Sequence, residues 1–282
     1  MPVGEPVKRA VALEQGASDT LLMLGAGGQI AGVGHQKDTP PEGMQTPPIL
    51  SPAIPTAEQI RAADADFVYS PFAQVWTADA AGTREEWQRL GVRTYQSNTE
   101  CRDYGDNAGQ SAFSLIKKDI SELGELFGRE DAAAELAQRL DSAVAGANQA
   151  PDGTTFLLLY SSLGGAPYVA GGPSIPTEMG EAVNMTNVFA GVKEEWPQVS
   201  WEALASADPD VIVLADLPVR GKPGDTWQEK VADLEANPGT RNLRAVREHR
   251  YIIINGVTTS ASARSYQGLE QWSDAVGTGI AG

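Results

Sequence analysis

Two arginines, four aromatic residues and one glutamate stand near points where an apolar run gives way to a loop. Arg220 lies in Val219-Arg-Gly-Lys-Pro-Gly224 just past one such run, and Arg264 lies past the last of them. A guanidinium fork suits the paired oxygens of a carboxylate or a catecholate; the alternative is a solvated surface arginine. Phe72, Trp76, Tyr168 and Trp196 sit in or beside loops. Such faces can grip a large flat ligand at small entropic cost, or pack into an ordinary core. Glu14 follows the run Arg9-Ala-Val-Ala-Leu13. It suits a cationic or hydroxyl-rich ligand, or caps the helix that follows.

Other chemistries lack their residues. The only histidines are His35 and His249, far apart in sequence, which argues against a bare metal site. Cys101 is the only cysteine, so an internal disulfide and a multi-thiolate zinc site are excluded. Gly25-Ala-Gly27-Gly28 follows a helical stretch instead of opening one, and Ile30 stands where a dinucleotide loop needs its third glycine. No Gly-x-Ser-x-Gly elbow and no P-loop occurs. A net charge of −16 repels phosphate backbones and anionic lipid head groups, which speaks against nucleic acid and against direct membrane adsorption. No apolar run approaches the roughly 20 residues needed to cross a bilayer.

The elements that must position these side chains alternate. The pattern predicts strands at 9–13, 30–33, 66–70 and 92–95. Helices are predicted within 17–24, over 56–62, over 79–90 and over 111–127, the last with Phe113, Ile116, Ile120, Leu123 and Phe127 on one face. Residues 129–148 are Ala-rich and Pro-free and read as one helix of about 20 residues, roughly 30 Å long. The pattern then restarts. Strands are predicted at 155–160, 188–192, 211–214 and 251–254, with a Gly-rich loop over 161–173 and helices over 174–186, 226–236 and 265–276. Strands alternating with helices imply parallel α/β layers.

The two halves also match letter by letter. Glu58-Gln-Ile-Arg-Ala-Ala-Asp64-Ala-Asp66-Phe-Val aligns with Glu202-Ala-Leu-Ala-Ser-Ala-Asp208-Pro-Asp210-Val-Ile, and Gln29-Ile-Ala-Gly-Val33 aligns with Val188-Phe-Ala-Gly-Val192. Two matched blocks in the same order indicate an internal repeat. The expected fold class is therefore α/β: two similar lobes with parallel-type central sheets joined by a single long α-helix, with a ligand cleft between them. The expected boundaries are 1–128 for the N-terminal lobe, 129–150 for the connecting helix and 151–282 for the C-terminal lobe. In open α/β sheets ligands bind beyond the carboxyl ends of the strands, which is where the side chains introduced above fall.

The order and spacing of several motifs resemble the substrate-binding proteins of ABC importers, in the class that carries iron-siderophores, haem and vitamin B12. The motifs are Arg9-Ala-Val-Ala-Leu-Glu-Gln-Gly16, Pro55-Thr-Ala-Glu58-Gln-Ile, Ala65-Asp66-Phe-Val, Leu123-Gly-Glu-Leu-Phe-Gly128, and Trp196-Pro-Gln-Val-Ser-Trp-Glu202 with Asp208-Pro-Asp210. The resemblance spans nearly the whole chain and implies two α/β lobes bridged by one long helix. It implies that Glu58 and Glu202 dock to basic pockets on a permease dimer; the alternative for each is a partner of its own helix dipole. It also sets Trp196 against ligand, as similar binders do.

The expected function follows from these two lines together. It is a non-enzymatic solute receptor that captures a ferric siderophore or similar iron chelate and delivers it to the ABC permease. The same fold binding haem or a corrinoid (vitamin B12) is one alternative, and a two-lobed α/β enzyme is another. No catalytic residue, metal ligand or resident cofactor is expected, and the chain is expected to act as a monomer. The location implied is extracytoplasmic, as a cell-surface lipoprotein or in the periplasm. The opening Met-Pro-Val-Gly-Glu-Pro has no signal-peptide character, so the export signal and any lipid anchor are expected to be absent from this sequence.

Overall fold

Parallel strands need crossover helices, and the computed structural model, which describes residues 5–162 and 165–280, contains two sheets built that way. The chain divides into two compact units, residues 1–140 with 261–264, and residues 141–260 with 265–282.

In the first unit the strands are β1 (Ala10–Ala12), β2 (Ile30–Gly34), β3 (Ile49–Ser51), β4 (Phe67–Ser70) and β5 (Arg93–Gln96). They form one all-parallel sheet in the order β3-β2-β1-β4-β5. Strand β3 was hidden in the Pro/Gly-rich stretch, because three residues with one buried show no periodicity to read. The crossover helices are α1 (Gln15–Met23), α2 (Ala57–Ala62) and α3 (Arg84–Arg89), and α4 (Ala112–Phe127) follows the last strand. Helix α1 begins earlier than the pattern suggested, because the Glu14 side chain caps it. Helix α3 is shorter than the expected 79–90. Gly82, at φ +84°, turns the chain, and Thr83 and Glu86 then close a capping box that starts the helix afresh. Helix α4 buries Ile116, Ile120, Leu123 and Phe127 as expected, leaves Phe113 only half-buried, and stops at Gly128, a left-handed C-cap. Gly124 lets the following helix approach closely: a Cβ there would lie 2.5 Å from that of Ala133.

That following helix, α5 (Glu130–Ala145), is the long Ala-rich element, and it runs from the first unit into the second. It is not the only passage of the chain. Ala261–Arg264, far down the sequence, also belongs to the first unit.

In the second unit the strands are β6 (Thr155–Ser161), β7 (Tyr168–Val169), β8 (Thr186–Asn187), β9 (Val211–Asp216) and β10 (Tyr251–Asn255). The path is β10-β9-β6-β7, and β8 pairs with the start of β6. All pairings are parallel except β6 with β7, which is antiparallel. The helices are α6 (Ile175–Ala182), α7 (Trp201–Ala207), α8 (Trp227–Ala236), α9 (Arg244–Arg247) and α10 (Ser265–Gly277). The expected strand at 188–192 is a correction. The ladder ends at Asn187, whose side-chain oxygen accepts from Phe189 N at 2.9 Å and turns the chain. Val188 and Phe189 still pack on the core, which is why the stretch looked strand-like. Part of the Gly-rich loop, residues 163–164, lies outside the described residues. Among the described residues no helix is long and apolar enough to cross a membrane.

Candidate functional site

The carboxyl end of each sheet carries its own polar group. In the first unit β1 leads directly into Glu14, which is 1% exposed. Its Oε2 accepts from Gly16 N at 2.6 Å, and its Oε1 pairs with Lys37 Nζ at 2.7 Å. Lys37 Nζ also lies 5.8 Å from the centre of the Phe72 ring, close enough for a cation–π attraction. Beside this pair, Arg264 Nη1 donates to Asp19 Oδ2 at 3.0 Å and to Thr39 O at 3.2 Å. Burial pushes the Asp19 carboxyl up to about 7, against the pull of Arg264 and of Gln15. The segment carrying Arg264 is held further by Ala263 N, which donates to Thr20 Oγ1 at 3.2 Å. Phe72 and Trp76 are half-buried and pack against the cluster of Val11, Leu13, Ile60, Val68 and Trp87.

In the second unit the loop after β9 is organised around one buried aspartate. Arg220 grips Asp225 in a fork: Nε donates to Oδ2 at 2.8 Å and Nη2 donates to Oδ1. Lys222 N donates to the same carboxylate at 2.9 Å. Below it, the fully buried Lys230 donates from Nζ to Ala215 O at 2.7 Å and to Asp225 O. Burial pulls this ammonium down to about 8, opposed by Asp225 and Asp216. The third arm of the Arg220 fork, Nη1, donates to Tyr160 Oη at 3.2 Å, and the guanidinium carbon sits 5.1 Å from the centre of that ring. The other neighbour of Tyr160 is Trp196, with ring centroids 5.0 Å apart. Trp196, Tyr160 and Arg220 therefore form one continuous contact group, with the two rings tilted by 49° to each other and all three side chains partly exposed.

Of the sequence-predicted side chains, Trp196 and Arg220 are brought together through Tyr160, and Glu14 meets Phe72 through Lys37. Tyr168 is half-buried on β7, and among the described residues no ring stacking joins it to the Trp196 surface. Arg264 is only 7% exposed and committed to Asp19. Tyr160 escaped sequence reading because it closes a run of apolar residues. Its signal was a polar ring at the carboxyl end of a buried strand. Asp225 and Lys37 carried no signal, since only the folded loops bring them to Arg220 and Glu14.

Glu58 and Glu202 are both exposed, and each is the second residue of its helix, α2 or α7. Each helix begins at a hydroxyl N-cap: Thr56 Oγ1 accepts from Gln59 N, and Ser200 Oγ accepts from Ala203 N. The block of the repeat that carries the two glutamates thus holds in the backbone as well, whereas the 29–33 and 188–192 block does not.

No curated protein matches the chain. Among solved structures, a periplasmic binding protein from Veillonella parvula is similar over 99% of this chain and 94% of its own, at 21% identity and a TM-score of 0.83. An ABC-type Fe3+-hydroxamate transport system from Saccharomonospora viridis is similar over 96% of this chain and 94% of its own, at 26% identity and a TM-score of 0.74. A periplasmic heme-binding protein from a Roseiflexus species is similar over 97% of this chain and 98% of its own, at 21% identity and a TM-score of 0.71. Residues 11–257 match the family model for periplasmic binding proteins, so this chain belongs to that family.

Proposed function

We propose that this protein is the extracytoplasmic solute-binding component of an ABC importer, and that its cargo is a ferric siderophore or a similar iron chelate. The observation that carries the choice of cargo is the Trp196–Tyr160–Arg220 surface. A siderophore complex is large, partly flat and commonly anionic at its oxygen donors, and this surface offers a ring face beside a guanidinium edge. Asp225 and Tyr160 engage three of the five N–H donors of Arg220. Among the described residues the other two carry no bond, so the group is pre-aimed and still able to donate. Preorganisation of this kind lowers the entropy lost on binding. The similarity to the Fe3+-hydroxamate transport system supports the same cargo. The protein binds and does not transform its ligand, and the iron chelate is cargo, not a resident cofactor.

Delivery to the permease would use Glu58 and Glu202. Exposed carboxylates at equivalent places in the two units are suited to a two-fold partner with basic pockets.

The test is a ligand panel read by intrinsic fluorescence. The chain has six tryptophans, and Trp196 stands in the proposed surface. A ferric hydroxamate, a ferric catecholate, haem and cobalamin are titrated in turn. Saturable quenching by a ferric chelate is expected. Quenching by haem or cobalamin alone would transfer the assignment to that cargo. No binding by any of the four, with turnover of a substrate instead, would overturn the receptor reading.

A further inference from the structure

Away from the surfaces described above, the first unit holds a cluster of buried Tyr95 and Asp119 with half-buried Asn98 and Glu122, whose hydrogen bonds do not close among themselves without an additional proton. Tyr95 Oη, at the end of β5, lies 2.7 Å from Asp119 Oδ1 and 2.6 Å from Glu122 Oε2. A phenol has one proton and can donate to one of them. The Asn98 side-chain amide has two, yet faces three acceptors: Asp119 Oδ1 at 2.7 Å, Glu122 Oε2 at 2.9 Å and Tyr95 Oη at 3.0 Å. Asp119 also accepts from Asn98 N at 2.8 Å and from the Ser97 hydroxyl. With both carboxyls ionised, one of the two short contacts to Tyr95 sets a lone pair against an anion. In addition, two like charges three residues apart on α4 repel. One proton on the carboxyl pair removes both defects.

The charged and titratable groups around the cluster do not supply that proton. From β4, the Tyr69 ring meets the Tyr95 ring edge-on, with centroids 5.4 Å apart. From α4, Lys118 Nζ is turned to Asn107 Oδ1 at 2.7 Å. In the 97–107 loop, Cys101 Sγ accepts from Gln96 Nε2 at 3.2 Å, and Arg102 Nε donates to Thr99 O at 3.5 Å. Glu100 turns outward, where its Oε2 accepts from Ala73 N at 2.9 Å. That last bond matters, because Ala73 opens the 3-10 turn Ala73–Val75 between Phe72 and Trp76.

We propose that Tyr95, Asp119 and Glu122 form a one-proton latch that fastens the 97–107 loop to α4, and that losing the proton loosens the loop and, through Glu100, the Phe72–Trp76 turn. The physical direction agrees: burial pushes the Asp119 carboxyl up to about 6, although the bonds from Ser97, Asn98 and Tyr95 oppose it. Burial and the two carboxyls also hold the Tyr95 phenol far above its usual range, so the phenol keeps its own proton. The latch is closed on the acid side of about pH 6 and opens as pH rises through it. Should the cargo proposed above also contact Phe72 or Trp76, chelate affinity falls over the same range.

The experiment follows backbone and side-chain amides of the free protein by NMR from pH 4.5 to 8. Asn98 and Ala73 are expected to shift together in one step near pH 6. Glu122→Gln, whose amide can donate to Tyr95 Oη without a proton to lose, should remove the step and keep the acid-side shifts at pH 8. Glu122→Ala, which leaves the whole Tyr95 proton to Asp119, should move the step to lower pH. Independent titration of Asn98 and Ala73, or an unchanged step in both variants, would overturn the latch. Chelate binding at pH 5 and pH 8 is then measured on the same samples. Weaker binding at pH 8 in the parent and none of that loss in Glu122→Gln supports the link to the ligand surface. A joint amide step without binding of any chelate upholds the latch and rejects the cargo assignment instead.

Discussion

Asp66 and Asp210 perform the same task in the two units: each carboxylate, standing just before one strand, holds the start of the neighbouring strand. Asp66 accepts from Lys8 N and Arg9 N, both at 3.0 Å, where β1 begins. Asp210 accepts from Thr155 N and Thr155 Oγ1, both at 2.9 Å, where β6 begins. Each therefore sets the register between the first strand of its sheet and the strand beside it. Asp66→Ala and Asp210→Ala should each lose about 1–3 kcal/mol, since donors lose their partner. Urea denaturation measures this. The Asp210 carboxyl is pushed up by burial but held lower overall by its bonds from Thr155, so its share of stability is lost as pH falls into the acid range.

Arg264 and Asp19 form a buried ion pair that fixes the late segment 261–264 into the first unit. Arg264→Ala removes the group that opposes burial of the Asp19 carboxyl, pushes its titration higher still, and should cost about 1–3 kcal/mol in urea denaturation, the scale of a buried polar group left without its partner. Replacing both residues with leucine should recover most of that loss. If Arg264→Ala leaves stability intact and abolishes chelate binding, Arg264 is a ligand contact and not a pin.

Stability should fall as pH rises from about 4 to about 7. The Asp19 and Asp119 carboxyls titrate near 7 and 6 in the fold and from 3.8 in the unfolded chain. A raised folded-state pKa gives stability that is complete below the unfolded value and disappears as pH passes the folded one. Thermal melts at pH 5 and pH 8 should show the lower midpoint at pH 8. Asp119→Asn should flatten part of the difference.

Glu58→Ala and Glu202→Ala should leave chelate affinity unchanged and abolish uptake by cells. Their own helices should lose no more than about 1 kcal/mol each, the scale of a charge on a helix dipole. A drop in affinity for the purified protein would place the glutamates at the ligand and end the docking proposal.

Arg220→Lys keeps the charge but cannot hold Asp225 in a fork while lying along Tyr160. Chelate binding should weaken by about tenfold or more, the scale of one charge-assisted bond at about 1.5–3 kcal/mol. Fluorescence titration of Trp196 quenching reads it directly. Unchanged affinity would remove Arg220 from the ligand surface.

Much of this architecture was written in local patterns. Apolar runs, capping hydroxyls and Gly128 set the main strands, helix α4 and the long helix α5, because burial periodicity and caps act over a few residues. The duplicated Glu58 and Glu202 blocks announced two similar units, since equal helix-to-strand joints need the same residues in the same order. The exceptions were also local in cause: Gly82 and Asn187 turned the chain inside stretches whose apolar content suggested longer elements. The partnerships at the candidate site were decided only by the tertiary structure. Arg264 meets Asp19 across 245 positions, Arg220 meets Tyr160 across 60, and Tyr95 Oη lies within hydrogen-bond distance of carboxyls 24 and 27 positions away. Charge pairing and stacking depend on distances of a few ångströms, and those are set by how loops from separate strands converge. A sequence shows which side chains are available, while the converging strand ends determine which of them meet.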